Sequence, residues 1–332
     1  MINNIKAFAR FLDQPVLISK LNKSMPLVLL SSSALLSAKE GYDVFIKNKQ
    51  QNKEIQKKNE NKFYKNTFIL FMSALSALAA PKIASKITKR DLIPSLDETK
   101  KLNKKIIDDF ILSKNPPKDI QDLLESSKEN IISFKKVKTL IKRLKETNNT
   151  DFINKLIPEP QNVSSKDIFS EIGYLSIYGA VPVVGGIISG ITADKISPDK
   201  DCKNSTCNKI SEGLYQYLAN IFLCNVGAGC ALGILEKLKI QNKTIRALSM
   251  TAGIITTGVI GGNKIANLIT KKVICPFSKN KIKERKPEIV DLGMHTDDIA
   301  TVATLSGLKW IEPMLPFLYA LSGYKSGIGY RN

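Results

Sequence analysis

Residues 172–193, IGYLSIYGAVPVVGGIISGITA, run for twenty-two positions without a charge between Glu171 and Asp194. At about 1.5 Å of rise per residue, a helix of that length reaches roughly 33 Å, enough to cross a hydrocarbon core about 30 Å thick. Outward from this stretch the pattern recurs. Residues 213–235, GLYQYLANIFLCNVGAGCALGIL, hold twenty-three uncharged positions between Glu212 and Glu236, with Tyr215 and Tyr217 near one end, where interfacial aromatics belong. Residues 247–263 give seventeen more and continue past Lys264 into IANLIT, so that lysine sits near a boundary and snorkels.

Three weaker runs complete the set: residues 24–38 with fifteen positions, 66–81 with sixteen and 313–324 with twelve, the last preceded by 299–308. Each falls short of a standard span and reads as a core, re-entrant or interfacial helix. Residues 24–38 also carry Lys20 and Lys23 before them and end in Ser37-Ala38, small residues for cleavage, the outline of a signal-peptide core. The long stretch preceding them and Leu36 near the cleavage position argue against that reading, which stays open beside a span or an interfacial helix.

Eighteen of the nineteen glycines lie from Gly173 to Gly329, most of them inside these uncharged runs. A water-exposed helix disfavours glycine, whereas helices packed in lipid use it for close backbone approach. Gly186 and Gly190, Gly229 and Gly233, Gly258 and Gly262, and Gly323 and Gly327 are each four apart, which puts each pair on one helical face as a groove for a neighbour. Gln216, Asn220 and Asn225 bring polar groups into the second run, either as interhelical hydrogen bonders or as lining of a solute path.

Residues 85–167 differ: they hold no glycine and no cysteine, and their apolar residues follow helical spacing, as in Leu102, Ile106 and Phe110, then Phe134, Val137, Ile141 and Leu144. Ser95 with Glu98 predicts a capping box, Asn115-Pro116-Pro117 a helix stop, and Ser164 with Asp167 the start of the first long run. Lys135, Lys136, Lys138, Lys142, Arg143 and Lys145 surround an apolar stripe, a pattern that suits an anionic membrane surface and equally the solvated face of a bundle. Nucleic acid is a poor fit, because the aromatics that stack on bases are nearly absent from this segment.

The net charge of +20 is spread over the chain, with an excess of +8 in residues 1–84, +5 in 85–167 and +7 in 168–332. It favours anionic partners, headgroups above all. Basic residues flank nearly every run; the arrangement with least conflict puts residues 1–167 at the cytoplasmic face and the loop 194–212 outside. That orientation would let Cys202 and Cys207 form a disulfide.

No catalytic, cofactor or metal constellation emerges. Asp199, Asp201 and Asn204 lack the turn glycine and terminal glutamate of a calcium loop, and His295 has no partner ligands. Thr296, Asp297 and Asp298 fit a helix start better than an acid–base cluster. The expected fold is all-α, a polytopic transmembrane helix bundle of about four to six glycine-packed spans with an amphipathic polar segment. Its expected regions are a basic N-terminal part (1–84) with two short apolar helices, a polar helical segment (85–167) and a glycine-rich transmembrane part (168–332). The expected role is a non-enzymatic, multi-pass membrane scaffold that presents a basic helix, with the bilayer, a protein partner or a second copy held through glycine faces as its contacts. A small-solute transporter is the alternative.

Overall fold

The computed structural model describes residues 2–49, 51–89, 93–157, 164–196, 205–277, 282–288, 291 and 309–330. Its helices in chain order are α1 (Ile2–Leu12), α2 (Pro15–Asn48), α3 (Lys53–Thr88), α4 (Leu96–Lys114), α5 (Lys118–Glu125), α6 (Phe134–Glu146), α7 (Thr150–Leu156), α8 (Ser165–Ile196), α9 (Ser205–Tyr217), α10 (Leu223–Lys237), α11 (Lys243–Gly253), α12 (Asn263–Ile269) and α13 (Leu315–Ile328). Every regular element among the described residues is helical, as expected for an all-α chain. Four continuous helical stretches are long and apolar enough to cross a membrane: Lys53–Thr88, Ser165–Ile196, Thr206–Lys237 and Thr244–Phe277.

The first of these corrects an expectation about length. Residues 66–81 are too short to span alone, but α3 extends them with polar turns at both ends into a helix of 36 residues. The third and fourth stretches are not uniformly α-helical. Leu218–Phe222, Ile254–Gly262 and Thr270–Ile274 are wound as π-helix, a wider turn that recurs at functional sites. Residues 24–38 lie within α2, and residues 313–324 divide between a 3-10 turn, Lys309–Met314, and α13. The expectations for residues 299–308, for Asp199, Asp201, Cys202 and Asn204, and for His295 to Asp298 fall outside the described residues.

The chain forms two compact units that interleave along the sequence. The first comprises Met1–Met25, Asp91–Val163 and Thr304–Met314. Its core joins Ile107 and Phe110 of α4, Ile120 and Leu124 of α5, Val137, Leu140 and Leu144 of α6, and Phe152, Ile153 and Leu156 of α7. Each such side chain contributes roughly 1.5–3 kcal/mol on leaving water, and the Phe110 and Phe152 rings stack with centroids 3.7 Å apart.

Local signals set the helix ends. Glu98 N donates to Ser95 Oγ at 3.3 Å and Ser95 N to Glu98 Oε2 at 3.1 Å, the expected capping box. Asn115 closes α4 in the left-handed region at φ 40°, and Pro116 cannot continue the helix. The N-terminal helix is tied in by polar bonds: Arg10 donates to Ile157 O at 3.2 Å, while Gln14 donates to Ile132 O and accepts from Ile132 N, both at 2.8 Å. Lys128 bridges Asp108 at 2.7 Å and Glu125 at 2.5 Å, and those hydrogen bonds raise its pKa above the ordinary lysine value.

The second unit comprises Pro26–Arg90, Ser164–Ala303 and Leu315–Asn332. Here α3 lies against α8 and α13, α8 against α9 and α10, and α10 against α11 and its π-helical continuation. The later part of α2 returns along α3 as a helical hairpin, with Leu29 packed on Ala74 and Ala77. The hairpin turn is pinned by Gln56 Nε2 donating to Asn48 O at 2.7 Å and by Asn59 Nδ2 donating to Asn48 Oδ1 at 2.9 Å. Helix α8 begins at the predicted Ser164–Asp167 pair: Asp167 accepts from Ser164 N at 2.9 Å, and Ser164 Oγ from Asp167 N at 3.2 Å.

Candidate functional site

The most unusual chemistry of the second unit is a group of charges removed from water where α9, α13, residues 282–288 and Asp291 meet. Arg285, Glu212 and Asp291 are each 0% exposed. Arg285 Nε lies 3.4 Å from Glu212 Oε2, and its Nη2 lies 3.0 Å from Asp291 Oδ2. Lys325 of α13 reaches the other Asp291 oxygen at 3.1 Å, Tyr215 donates to Asp291 at 2.9 Å, and Glu288 N donates to the same carboxylate at 2.8 Å.

The guanidinium stands over the Tyr215 ring at 4.7 Å and the Tyr330 ring at 5.2 Å, and Tyr330 donates to Glu288 at 3.0 Å. Burial alone would favour the neutral form of Arg285. The neighbouring Glu212 and Asp291 carboxylates outweigh it, so the pKa lies above the ordinary arginine value and the group is always charged. Two buried cations face two buried anions, with the partly exposed Glu288 at the rim. Such a set is compensated internally, and its work is to hold residues 282–288 and Asp291 on the bundle.

From this group a ladder of amides follows one face of the third apolar stretch. Gln216 Nε2 donates to Glu212 Oε1 at 2.7 Å, and Asn220 Nδ2 donates to Gln216 Oε1 at 2.9 Å. All three side chains are buried, and the four-residue spacing stacks them along about 12 Å of helix. Asn220 Oδ1, at the inner end and within the π-helical turn, has no hydrogen-bond partner. Asn225 belongs elsewhere: its Nδ2 donates to Ile221 O of its own helix at 2.7 Å.

Two further polar contacts occupy the helix ends. Lys209 reaches Asp194 at 2.6 Å, joined by Lys65 of α3 at 3.5 Å, with the Lys209 stem passing over Gly190. At the other end of α8, Ser165 N donates to Glu236 at 3.0 Å, and Arg246 of α11 donates to the same carboxylate at 3.2 Å.

Given a Cβ, seven of the eight predicted glycines would meet a neighbouring atom within 3.0 Å, and Gly233 would not. A Cβ on Gly186 would lie 1.9 Å from Gly323 O, and one on Gly190 2.0 Å from Gly327 O, so these two pairs meet across α8 and α13. Gly258 faces Cys224 and Gly262 faces Ala219, where an added Cβ would come within 2.7 and 2.6 Å respectively. Gly229 faces the Phe169 ring, while a Cβ on Gly233 would meet Ser165 only at an ordinary 3.7 Å. A further approach, Gly227 to Gly253 O at 2.2 Å, has no four-residue signature and so leaves no mark in the sequence pattern.

In the first unit Lys135, Lys136, Lys138, Lys142, Arg143 and Lys145 are all exposed, while Val137, Leu140 and Leu144 are buried. The apolar stripe of α6 therefore belongs to the core and is not free to enter lipid. Arg143 pairs with Asp119 at 3.1 Å and Lys136 donates to Ser126 at 2.9 Å. Lys135, Lys138, Lys142 and Lys145, spaced three, four and three apart, form one outward stripe.

Sequence reasoning missed Arg285, Asp291 and Lys325, and saw Glu212 only as the edge of a span. The one legible signal was the four-residue spacing of Glu212, Gln216 and Asn220. Cys207, Cys224, Cys230 and Cys275 are outside any disulfide. Among the described residues no three His, Cys, Asp or Glu side chains gather as metal ligands. No family model, curated protein or solved structure matches this chain.

Proposed function

We propose that this protein is a non-enzymatic membrane scaffold, in which the glycine-lined helices of the second unit anchor the chain and the first unit presents the α6 lysine stripe to an anionic surface. The observation that carries the reading is the division of labour on α6: its apolar side chains complete a core, and its six cations stay exposed. A folded helical unit covalently continuous with apolar helices, and carrying such a stripe, suits recruitment better than catalysis. Clustered lysines near a membrane surface gain about 1 kcal/mol each from anionic lipid.

The test uses the full chain in neutral-lipid nanodiscs, with capture of vesicles containing anionic phospholipid as the readout. Reversing Lys135, Lys138, Lys142 and Lys145 to Glu should lower capture at least tenfold and flatten its salt dependence. Unchanged capture would sink the lipid version of the proposal.

One observation favours solute transport as a second reading, namely Asn220 Oδ1, buried and unpartnered at the end of the amide ladder. Polar groups inside apolar helices often mark solute paths. Under this reading Asn220→Leu abolishes flux in proteoliposomes while the protein stays folded. Flux that persists in the variant, or that is absent from the parent, counts against it.

A further inference from the structure

Helix α2 carries an exposed apolar strip that outlasts its uncharged run. Charges begin at Lys39, which is exposed beside this strip, while Glu40 turns inward, where it accepts from Asn66 Nδ2 of α3 at 2.8 Å. Gly41 likewise faces the Phe63 ring of α3. The outward face continues as Leu27, Val28, Leu35, Tyr42, Phe45 and Ile46, all exposed, with Tyr42 at 64% and Phe45 at 61%. From residue 27 to residue 46 this strip measures about 29 Å along the helix, the thickness of a hydrocarbon core. Lys49 follows on the same face, its ammonium 4.9 Å from the Phe45 ring.

Aromatic side chains at the end of an apolar strip, followed by lysine, are the chemistry of a headgroup boundary. Between residues 41 and 62 the hairpin holds Lys47, Lys49, Lys53, Lys57, Lys58 and Lys62 against Asp43, Glu54 and Glu60, with no arginine. Protein interfaces are depleted in lysine and enriched in arginine, which disfavours a protein partner. A second copy would set the same lysines against one another. Anionic phospholipid meets both the rings and the charge.

We infer that Tyr42, Phe45, Ile46 and Lys49 dock the α2–α3 hairpin on anionic headgroups of the bilayer that the apolar helices cross. The inference rests on the membrane reading of those helices. Its test places single tryptophans at Leu35→Trp and Phe45→Trp in the full chain with Trp310→Phe, reconstituted in nanodiscs with lipids brominated at defined depths. If Trp310→Phe does not fold, difference spectra against the parent chain give the same readout.

Trp at 45 should be quenched severalfold more by anionic lipid brominated near the headgroup than by lipid brominated at the chain end, and Trp at 35 should show the reverse. Lys49→Glu should lower the preference for anionic over neutral lipid about fivefold. If Trp at 35 is lipid-quenched but Trp at 45 is quenched by aqueous acrylamide, the hairpin stands in water and the inference falls while the membrane reading survives. Protection of Trp at 45 from both quenchers means a protein covers it, which also overturns the inference. Equal quenching by neutral and anionic lipid removes the anionic specificity. If lipid quenches neither position, the membrane reading fails first.

Discussion

Replacing Arg285 by Met should cost the folded bundle about 3–5 kcal/mol, because removal of one partner leaves buried charge uncompensated. Asp291 would keep Lys325, Tyr215 and the Glu288 amide, whereas Glu212, 0% exposed and bonded to the Gln216 amide, would lose the guanidinium that faces it. Glu212 is therefore where the damage concentrates. The double variant Arg285→Met with Glu212→Gln should recover part of the loss, since it removes the buried carboxylate charge that Arg285 had faced while preserving the amide ladder. Arg285→Lys should fall between: a point charge replaces a planar fork that lies over two tyrosine rings. Equilibrium unfolding in detergent micelles reads all three. Segment 282–288 should become protease-sensitive in Arg285→Met before the bundle unfolds, because what then holds it includes Asn267 on backbone atoms of Arg285, at 2.8 and 3.0 Å, and Tyr330 on Glu288 at 3.0 Å, with the buried guanidinium gone. Equal stability of parent and Arg285→Met would mean that the buried pairs contribute nothing net.

What the sequence made legible was local. Uncharged length marked the apolar helices, Ser95 with Glu98 marked a cap, and Asn115-Pro116 marked an end, each decided by residues within four positions of one another. The unread features depend on partners far apart in the chain. Arg285 meets a residue 73 positions earlier, and Gln14 binds Ile132, 118 positions later. No local pattern says that the N-terminal helix completes the core built by α4 to α7. Nor does hydropathy distinguish α-helix from π-helix, because both satisfy the backbone internally and present similar residues to lipid. The α6 stripe shows the same limit from the other side: its spacing was readable, but only tertiary packing decides whether its apolar face meets lipid or a core.

Glycine substitutions should sort by what each new methyl meets, and the spread should be wide. Gly186→Ala places a Cβ 1.9 Å from Gly323 O, where ordinary contact begins at 3.4 Å, and the obstacle is backbone, which cannot rotate away. Nor can α13 simply withdraw. A Cβ on Gly190 would sit 2.0 Å from Gly327 O one turn on, and Lys325 between them is committed to Asp291. Opening this seam therefore strains the charge group as well, and the expected cost exceeds the roughly 1–3 kcal/mol usual for overpacking. Gly233→Ala makes the contrast: its methyl finds Ser165 at 3.7 Å, and Gly173→Ala finds nothing within 4 Å. At both of these positions the gain in helix propensity, up to about 1 kcal/mol, should dominate and leave stability equal or higher. Unfolding midpoints of the three variants in one detergent decide the matter. If Gly186→Ala is tolerated as well as Gly233→Ala, α8 and α13 do not approach through their glycines. If it alone collapses, the close backbone contact is what unites the two helices, since apolar side chains gain little from meeting each other where lipid is equally apolar.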